Sequence, residues 1–407
     1  MSWDTDARPS LARAFAGWAV ALEPSAEDLA LADCALLDTV AVGLAARHEP
    51  ILATAAVLSE EALWAVACHI LDFDDLHMPS TTHISTVCVP VTLALGGDAR
   101  GYLAGAGIMA RVGTALGWAH YSAGWHATTT AGVIGAAAGA AVCLGLDADG
   151  VATAMALAVP AAGGVQRSFG TDAKSLQIGF AAHAGVRAAR LAAAGASADG
   201  YAVDDWLALV GGSSENVDLS GPAIPAGLAI KLYPCCYALQ RPIGAAVAVR
   251  AQGLELASIE RIVVRTPGAT VKPLIHPRPR TGLEAKFSLE YAVAAALLDE
   301  LVGISTFSNA QVGRAEAKDL IELVQVDLTP GGDQLLSGQV EVEVHAGGHV
   351  RCSVLSFPPG SPQNPASKQD LLLKITDCLS GTTLRPDDIN WGSAPNLFRT
   401  HLRGPAT

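Results

Sequence analysis

Charge is scarce in this chain of 407 residues. Asp, Glu, Lys and Arg together make up 16% of it, against about 25% in an ordinary globular protein. So little polar surface implies a large buried interior or a wide subunit interface. Basic residues are the scarcer sign: 26 Lys and Arg stand against 39 Asp and Glu, a formal charge of −13. That balance argues against a nucleic-acid partner, which needs basic surface to meet phosphates. It leaves room for an anionic substrate, because a pocket can be locally positive inside an acidic protein. Aromatics are also few, at 5%. Alanine and glycine dominate instead, and helices with such small side chains can approach closely.

Several motifs are missing. No CxxC occurs, and the eight cysteines (Cys34, Cys68, Cys88, Cys143, Cys235, Cys236, Cys352, Cys378) are scattered through apolar segments. They read as buried thiols of a cytoplasmic protein rather than a disulfide framework or a zinc site. No GxGxxG follows a strand and no GxxxxGK[ST] appears, so nucleotide binding has no support. The opening MSWDTDARPS lacks a basic stretch followed by an apolar core, so no signal peptide is expected. The run 124–146 carries no charge except on a protonated His126, and is long enough to suggest a membrane span. It consists of Ala, Gly and Thr rather than Leu, Ile and Phe, so insertion would be weak. A buried helix is expected there, with GAAAG at 135–139 serving close packing, and no membrane partner. No repeat of 20–50 residues is visible.

The length suggests two domains. From about 10 to 235 the pattern is mostly helical. Ser25 and Asp28 form a possible capping box ahead of an apolar run to Leu44. Asp147 and Asp149 precede another helix, and 178–195 a third, stopped by Gly195. Beyond about 245 the texture changes. Segments 258–266 and 320–328 read as strands, and 339–354 as a hairpin turning at Gly347-Gly348. Segment 284–298 reads as a helix, 357–367 as a loop, and 368–381 as a helix again. The expected fold is mainly α: a large all-helical domain (1–240 and 368–407) with a smaller α+β domain (241–367) inserted near the end.

The chemistry concentrates in a few stretches. HILDFDDLHMPSTTHISTVCVP (69–90) holds three aspartates and three histidines in apolar surroundings. Asp72, Asp75, His77 and His83 suggest an acid/base or substrate-binding cluster. The loop from Pro79 to Thr82 would place His83 at the start of a new helix, where the dipole favours anions. Metal ligation is a competing reading, but there is no HExxH and the spacing matches no standard cage. The bland alternative is N-capping by the aspartates and core hydrogen bonding by the histidines.

In GWHATTT (124–130), His126 precedes a threonine run, Thr128 to Thr130, that can donate hydrogen bonds to an anion; a packing histidine is the alternative. In GGVQRSFGTDAK (163–174), Arg167 and Lys174 precede a helix as a possible carboxylate clamp, or as ordinary surface charges. In AIKLYPCCYALQRP (229–242), Lys231 stands among apolar neighbours, where it either pairs with an anion or loses its proton more easily. The adjacent cysteines there read as packing. Tyr291 in FSLEY means little alone. As a set, these groups suit proton transfer next to a carboxylate.

LDFDD followed by PSTTHIS, then GWHATTTAGVIGAAAGAA, GTDAKSLQIGFAAHAG, KLYPCCYALQRP and AKFSLEYAVAAALLD resemble the MmgE/PrpD family in order and spacing. That family includes 2-methylcitrate dehydratase, cis-aconitate decarboxylase and iminodisuccinate epimerase. The resemblance implies a helical lyase domain, an α+β lid, a homodimer, a site in the cleft between the domains, and catalysis without metal or other cofactor on a small carboxylate. It places functional positions on Asp72, His83, His126, Lys174, Lys231 and Tyr291. His83 and Asp72 would handle protons, with His126 as a second acid or base. Lys174 and Lys231 would hold carboxylates, with Arg167 and Thr128 beside them. Gln240 departs from the pattern, because the family often has a histidine near the end of the Pro-Cys-Cys block. Dehydration of the 2-methylcitrate type is the first reading. Epimerisation of an imino- or amino-dicarboxylate is the second and decarboxylation the third. A silent carboxylate-binding protein is the alternative from another class.

Overall fold

Ser25 opens the first long helix, Ala26–Ala45, with the expected capping box. Its Oγ accepts from the Asp28 N–H at 3.1 Å, and the Asp28 carboxylate accepts from the Ser25 N–H at 3.1 Å. The computed structural model describes residues 9–215, 217–332 and 334–402. They fall into two compact units. The first takes the chain up to Ile70, then Asp74–Ala229, then from Leu379 onward; the second takes Leu71–Phe73 and Ile230–Cys378.

The first unit is helical throughout. At its centre runs Ala127–Cys143, buried at every position from Ala127 to Ala141. Small residues let its neighbours come close. A Cβ on Gly105 of helix Ala99–Ser122 would lie 2.9 Å from the Gly135 carbonyl and 3.0 Å from the Gly139 Cα. The GAAAG stretch therefore serves helix packing, as its composition predicts. Helix Ala173–Ala193 starts five residues before the expected position and stops ahead of Gly195, whose φ is +89°. Asp147 caps Ala148–Ala158 through the Gly150 N–H at 2.9 Å. Among the described residues one stretch, Ala26–His48, is long and apolar enough to cross a membrane, and most of its apolar window is buried inside the protein.

Two members of the 69–90 cluster turn out to pin the chain. His77 is buried, and burial draws it down to about 4. Its neutral ring bonds the Pro225 carbonyl through Nε2 and Ser80 Oγ through Nδ1, both at 2.7 Å. Asp75 accepts from the Ser85 N–H at 3.2 Å and from the Ser85 hydroxyl, which also bonds the Tyr102 hydroxyl at 2.7 Å. Burial raises the Asp75 carboxyl to about 6, against the pull of the Ser85 hydrogen bonds.

The second unit is built on a four-stranded sheet in the order β2-β1-β3-β4. β1 is Ile259–Pro267, β2 Val324–Thr329, β3 Val340–Ala346 and β4 His349–Leu355. β1 pairs with β2 in parallel and with β3 antiparallel. The β3–β4 hairpin turns at Gly347 and Gly348, both at positive φ, as the Gly-Gly pair predicts. Helices Gln240–Arg250, Leu289–Leu298 and Ala315–Glu322 contribute to the same apolar core as β1 and β3.

Two expectations shift here. The strand foreseen at 320–328 begins only at Val324, because Ala317, Leu320 and Ile321 bury the inner side of a helix that ends at Glu322. The helix foreseen at 284–298 breaks in two. Ser288 caps its second part by accepting from the Tyr291 N–H. By contacts, the second unit runs from Ile230 to Cys378 and takes in Leu71–Phe73. Hydrogen bonds hold its ends. Gln240 accepts from the N–H groups of Leu232 and Tyr233, and Asp377 accepts from the Ile304 N–H. Three lysines also donate to three consecutive carbonyls: Lys286 to Leu71 at 2.6 Å, Lys231 to Asp72 at 2.9 Å, and Lys374 to Phe73 at 2.8 Å.

The packing of the first unit sets the sign of two glycine substitutions. A Cβ on Gly185 would lie 2.4 Å from the Ala136 Cβ and 2.7 Å from the Ala137 N, whereas one on the exposed, helical Gly17 would meet nothing within 4 Å. Gly185→Val should destabilise by roughly 1–3 kcal/mol, and Gly17→Ala should stabilise by about 0.5–1 kcal/mol. Urea midpoints of the two variants check this, and equal midpoints would contradict the packing account. The raised Asp75 carboxyl keeps its proton in the folded state after the unfolded chain has lost its own. Its contribution to stability is therefore full below about pH 4 and lost as pH rises to about 6. Asp75→Asn should gain on the wild type across that window, by about 1–3 kcal/mol at pH 7. A difference that stays flat from about pH 4 to 6.5 would contradict it.

Candidate active site

His69 ends the apolar helix Glu60–Ile70, and the chain then bends so that Asp74 turns back toward it. Asp74 is wholly buried, and its Oδ2 accepts from His69 Nδ1 at 2.7 Å. The loop that follows is closed by paired hydrogen bonds between the main chains of His77 and Thr82. It delivers His83 just ahead of helix Ser85–Ala94. His83 Nδ1 lies 3.2 Å from the same Asp74 oxygen, and the His83 N–H donates to Thr128 Oγ1 at 3.1 Å.

His126, at the start of helix Ala127–Cys143, completes a group of three imidazoles. The His69 ring centroid is 5.0 Å from that of His83 and 6.2 Å from that of His126. Phe169 packs edge-on against His126 at 4.9 Å, and the Lys174 ammonium lies 5.8 Å from the centre of the Phe169 ring. His69, Asp74, His83, His126 and Lys174 all belong to the first unit.

Burial is the largest influence on the three groups at the centre. Burial pulls His69 down to about 4, opposed by the Asp74 charge and reinforced by Lys174. Burial also holds His126 well below the usual imidazole value, helped by His69 and Lys174. Both rings are neutral at pH 7. For Asp74, burial alone would favour the neutral acid, but the two imidazoles outweigh it and hold the carboxyl well below its usual range. The stable arrangement is an Asp74 carboxylate accepting the His69 Nδ1–H, with a bare lone pair on His69 Nε2. Among the described residues, four buried polar atoms here have no hydrogen-bond partner: Asp74 Oδ1, His69 Nε2, His83 Nδ1 and His126 Nδ1. Buried polar atoms are nearly always paired, so this concentration is unusual.

His69, Asp74 and His83 are also the one His/Cys/Asp/Glu group among the described residues whose donor atoms lie close enough to hold a metal ion, all within 4.8 Å. Ligands about 2.0–2.1 Å from a tetrahedral ion stand roughly 3.3 Å apart. The His69–Asp74 separation of 2.7 Å is that of a hydrogen bond with a proton between the two atoms. The donor set fits a hydrogen-bonded Asp–His pair better than a metal cage.

The other residues named from the sequence are engaged in different ways. Arg167 is exposed on the short turn Gln166–Ser168. Thr128 is buried and holds the His83 main chain. In the second unit, Asp72 adopts φ +57°, and its carboxylate meets Lys231 Nζ at 3.0 Å, with the lysine 1% exposed. Tyr291 is buried against Phe307 and donates its hydroxyl to the Thr306 carbonyl; burial pushes it up to about 12. Gln240 is buried and spends its amide on the main chain of Leu232 and Tyr233, latching the loop that carries Lys231. The sequence reading missed His69 and Asp74. The available signal was a histidine in the last turn of an apolar helix with an aspartate five residues on, beyond the helix end.

Family models match the chain in two stretches: the MmgE/PrpD N-terminal domain over residues 60–206 and the MmgE/PrpD C-terminal domain over residues 233–387. The five residues of the cluster all lie within the first match. Among curated proteins, the chain is 28% identical over 295 residues to cis-aconitate decarboxylase from Homo sapiens, covering 65% of this chain and 60% of that protein. It is 29% identical over 296 residues to the protein of the same name from Mus musculus, covering 65% and 59%. With that from Aspergillus terreus it shares 25% over 331 residues, covering 70% and 67%. The chain thus spans about 60% of the length of the two mammalian relatives it matches. Motifs, helical architecture and both domain matches agree: the chain belongs to the MmgE/PrpD family.

Proposed function

We propose that this protein is an acid–base lyase that moves a proton at a carbon next to a carboxylate of a small di- or tricarboxylate. One observation carries this reading: two imidazoles, His69 and His83, meet one buried carboxylate, His126 stands beside His69, and Lys174 acts on His69 and His126. Such a site has groups to take and give a proton near pH 7 and a cation to meet the substrate's charge.

His83 is the proton-transfer group in this reading. Its side chain is 15% exposed and can reach a ligand, whereas His69 is sealed in. His126, neutral and with an unmet Nδ1, is the second acid or base. Lys174 holds a substrate carboxylate, which also draws the electron pair left on carbon when the proton departs. Asp72 and Lys231 keep their assignment by the family pattern, as a buried carboxylate–ammonium pair able to exchange a proton. Gln240 and Tyr291 support the loops around them through main-chain hydrogen bonds.

Two outcomes at that carbon have specific support. The relatives' names favour decarboxylation of a cis-aconitate-like tricarboxylate, in which the electron pair of the broken C–C bond is captured by a proton. Dehydration is the second, because the proton that His83 takes from carbon can pass to the departing hydroxyl, which leaves as water.

The test is proton NMR in D₂O of chelator-treated protein with cis-aconitate, citrate, 2-methylcitrate, malate and iminodisuccinate. The expected result, from one tricarboxylate, is loss of CO₂ with deuterium entering at carbon, or loss of water, with the rate unchanged by the chelator. His83→Ala should lower turnover by about 10²-fold or more while the thermal melt stays in place. Full activity of that variant, or no exchange with any of the five acids, would contradict the proposal.

A further inference from the structure

The Asp74 carboxylate is used unevenly. Both imidazole nitrogens that approach it converge on Oδ2, while Oδ1 is buried and unmet. A carboxylate offers about four lone-pair sites, and a buried one ordinarily collects two or three donors. His69 has taken the well-aligned position at 2.7 Å. His83 Nδ1 stands 3.2 Å from the same oxygen without hydrogen-bond geometry, and it too is buried and unmet. One unmet carboxylate oxygen and one unmet ring nitrogen thus sit on neighbouring side chains, and a ring protonated at Nδ1 supplies what the carboxylate lacks.

We infer that Asp74 is the positioning residue of His83. Its carboxylate takes the His83 Nδ1–H, which leaves Nε2 as the nitrogen that takes and returns the substrate proton. His69 anchors the same carboxylate from the end of helix Glu60–Ile70. The step balances without any further reagent. Nε2 takes the proton from carbon, and the C–H electron pair stays on the substrate and spreads into its carboxylate. His83 becomes an imidazolium whose charge faces the Asp74 carboxylate. Return of the proton, to carbon or to the leaving group, restores the neutral ring.

The other groups acting on this centre do not replace Asp74. His69, His126 and Lys174 are neutral or cationic, and Asp75 is bonded to Ser85. Asp74 is therefore the anion that can offset a charge on His83. His69 acts differently. Its single N–H, given to Asp74, keeps the carboxylate ionised and in place whether or not His83 is charged.

This inference rests on the reading of His83 as the proton-transfer group, and its test has an arm independent of turnover. Long-range proton–nitrogen spectra of the full chain labelled with ¹⁵N-histidine report tautomer and titration, with His83→Gln assigning the His83 signals. In the wild type at high pH, His83 should be the Nδ1–H tautomer. In Asp74→Asn it should move toward the Nε2–H tautomer, and kcat should fall by roughly 10–100-fold with little change in KM. His69→Gln keeps the carboxylate and should keep the His83 tautomer. An unchanged His83 tautomer in Asp74→Asn would overturn the inference. If that variant does not fold, a His83 tautomer that switches in His69→Gln, with Asp74 intact, would overturn it instead. A wild type that turns over none of the acids counts against the proposed function, while the tautomer result stands on the protein alone.

Discussion

An ionised carboxylate, that of Asp74, lies wholly inside a unit made largely of alanine, glycine and valine. Removing such a charge from water costs several kcal/mol unless donors replace the lost hydration. The local fold supplies them. Helix Glu60–Ile70 ends where His69 can turn its Nδ1–H to Asp74, and the loop through Pro79 returns the chain so that His83 approaches the same oxygen. Thr128 fixes the His83 main chain, and the close approach of the small-residue helices holds Ala127–Cys143 and the residues at its start in place. The carboxylate thus needs the histidines to stay ionised, and the same need gathers titratable groups in a chain that has few of them.

A different solution operates two residues earlier. At Leu71, Asp72 and Phe73 the main chain presents three consecutive carbonyls, and a lysine of the second unit donates to each. Lys231 also meets the Asp72 carboxylate, so one ammonium binds main chain and side chain together. Asp72 sits at φ +57°, a conformation that costs a non-glycine residue on the order of 1–3 kcal/mol and persists only where its surroundings dictate it. These ammonium contacts supply that constraint. Asp72 and Asp74, so close in sequence, are therefore held by opposite means: one carboxylate by ammonium, the other by neutral imidazole.

Much of this was legible in the sequence, and the reason differs from place to place. The Ser25–Asp28 box, the Gly347-Gly348 turn and the Ala/Gly helix depend on contacts a few residues apart or on side-chain size, and they appear where local pattern puts them. His83, His126 and Lys174 each stand beside a turn or helix start in the sequence, and the structure brings them near one another. His69 was hidden because ALWAVACHI reads as the apolar interior of a helix, and Asp74 because three aspartates in LDFDD look alike until their partners are known. Asp75 and His77 passed for functional groups although Ser85, Ser80 and the Pro225 carbonyl already occupy them. Long-range contacts are hidden for a related reason: Lys374 and Phe73 are far apart in sequence, and no local signal announces a hydrogen bond between them. Tyr291 and Gln240 show that a motif position does not reveal what its polar atoms are bonded to.

The measurement that tests the central claim most directly is a crystal structure of the protein with cis-aconitate or citrate bound. The account predicts a substrate carboxylate on Lys174 and a carbon next to a carboxylate about 3–3.5 Å from His83 Nε2, with Asp74 joined to both His69 and His83. A ligand bound elsewhere, leaving His83, His126 and Lys174 without contact, would contradict it.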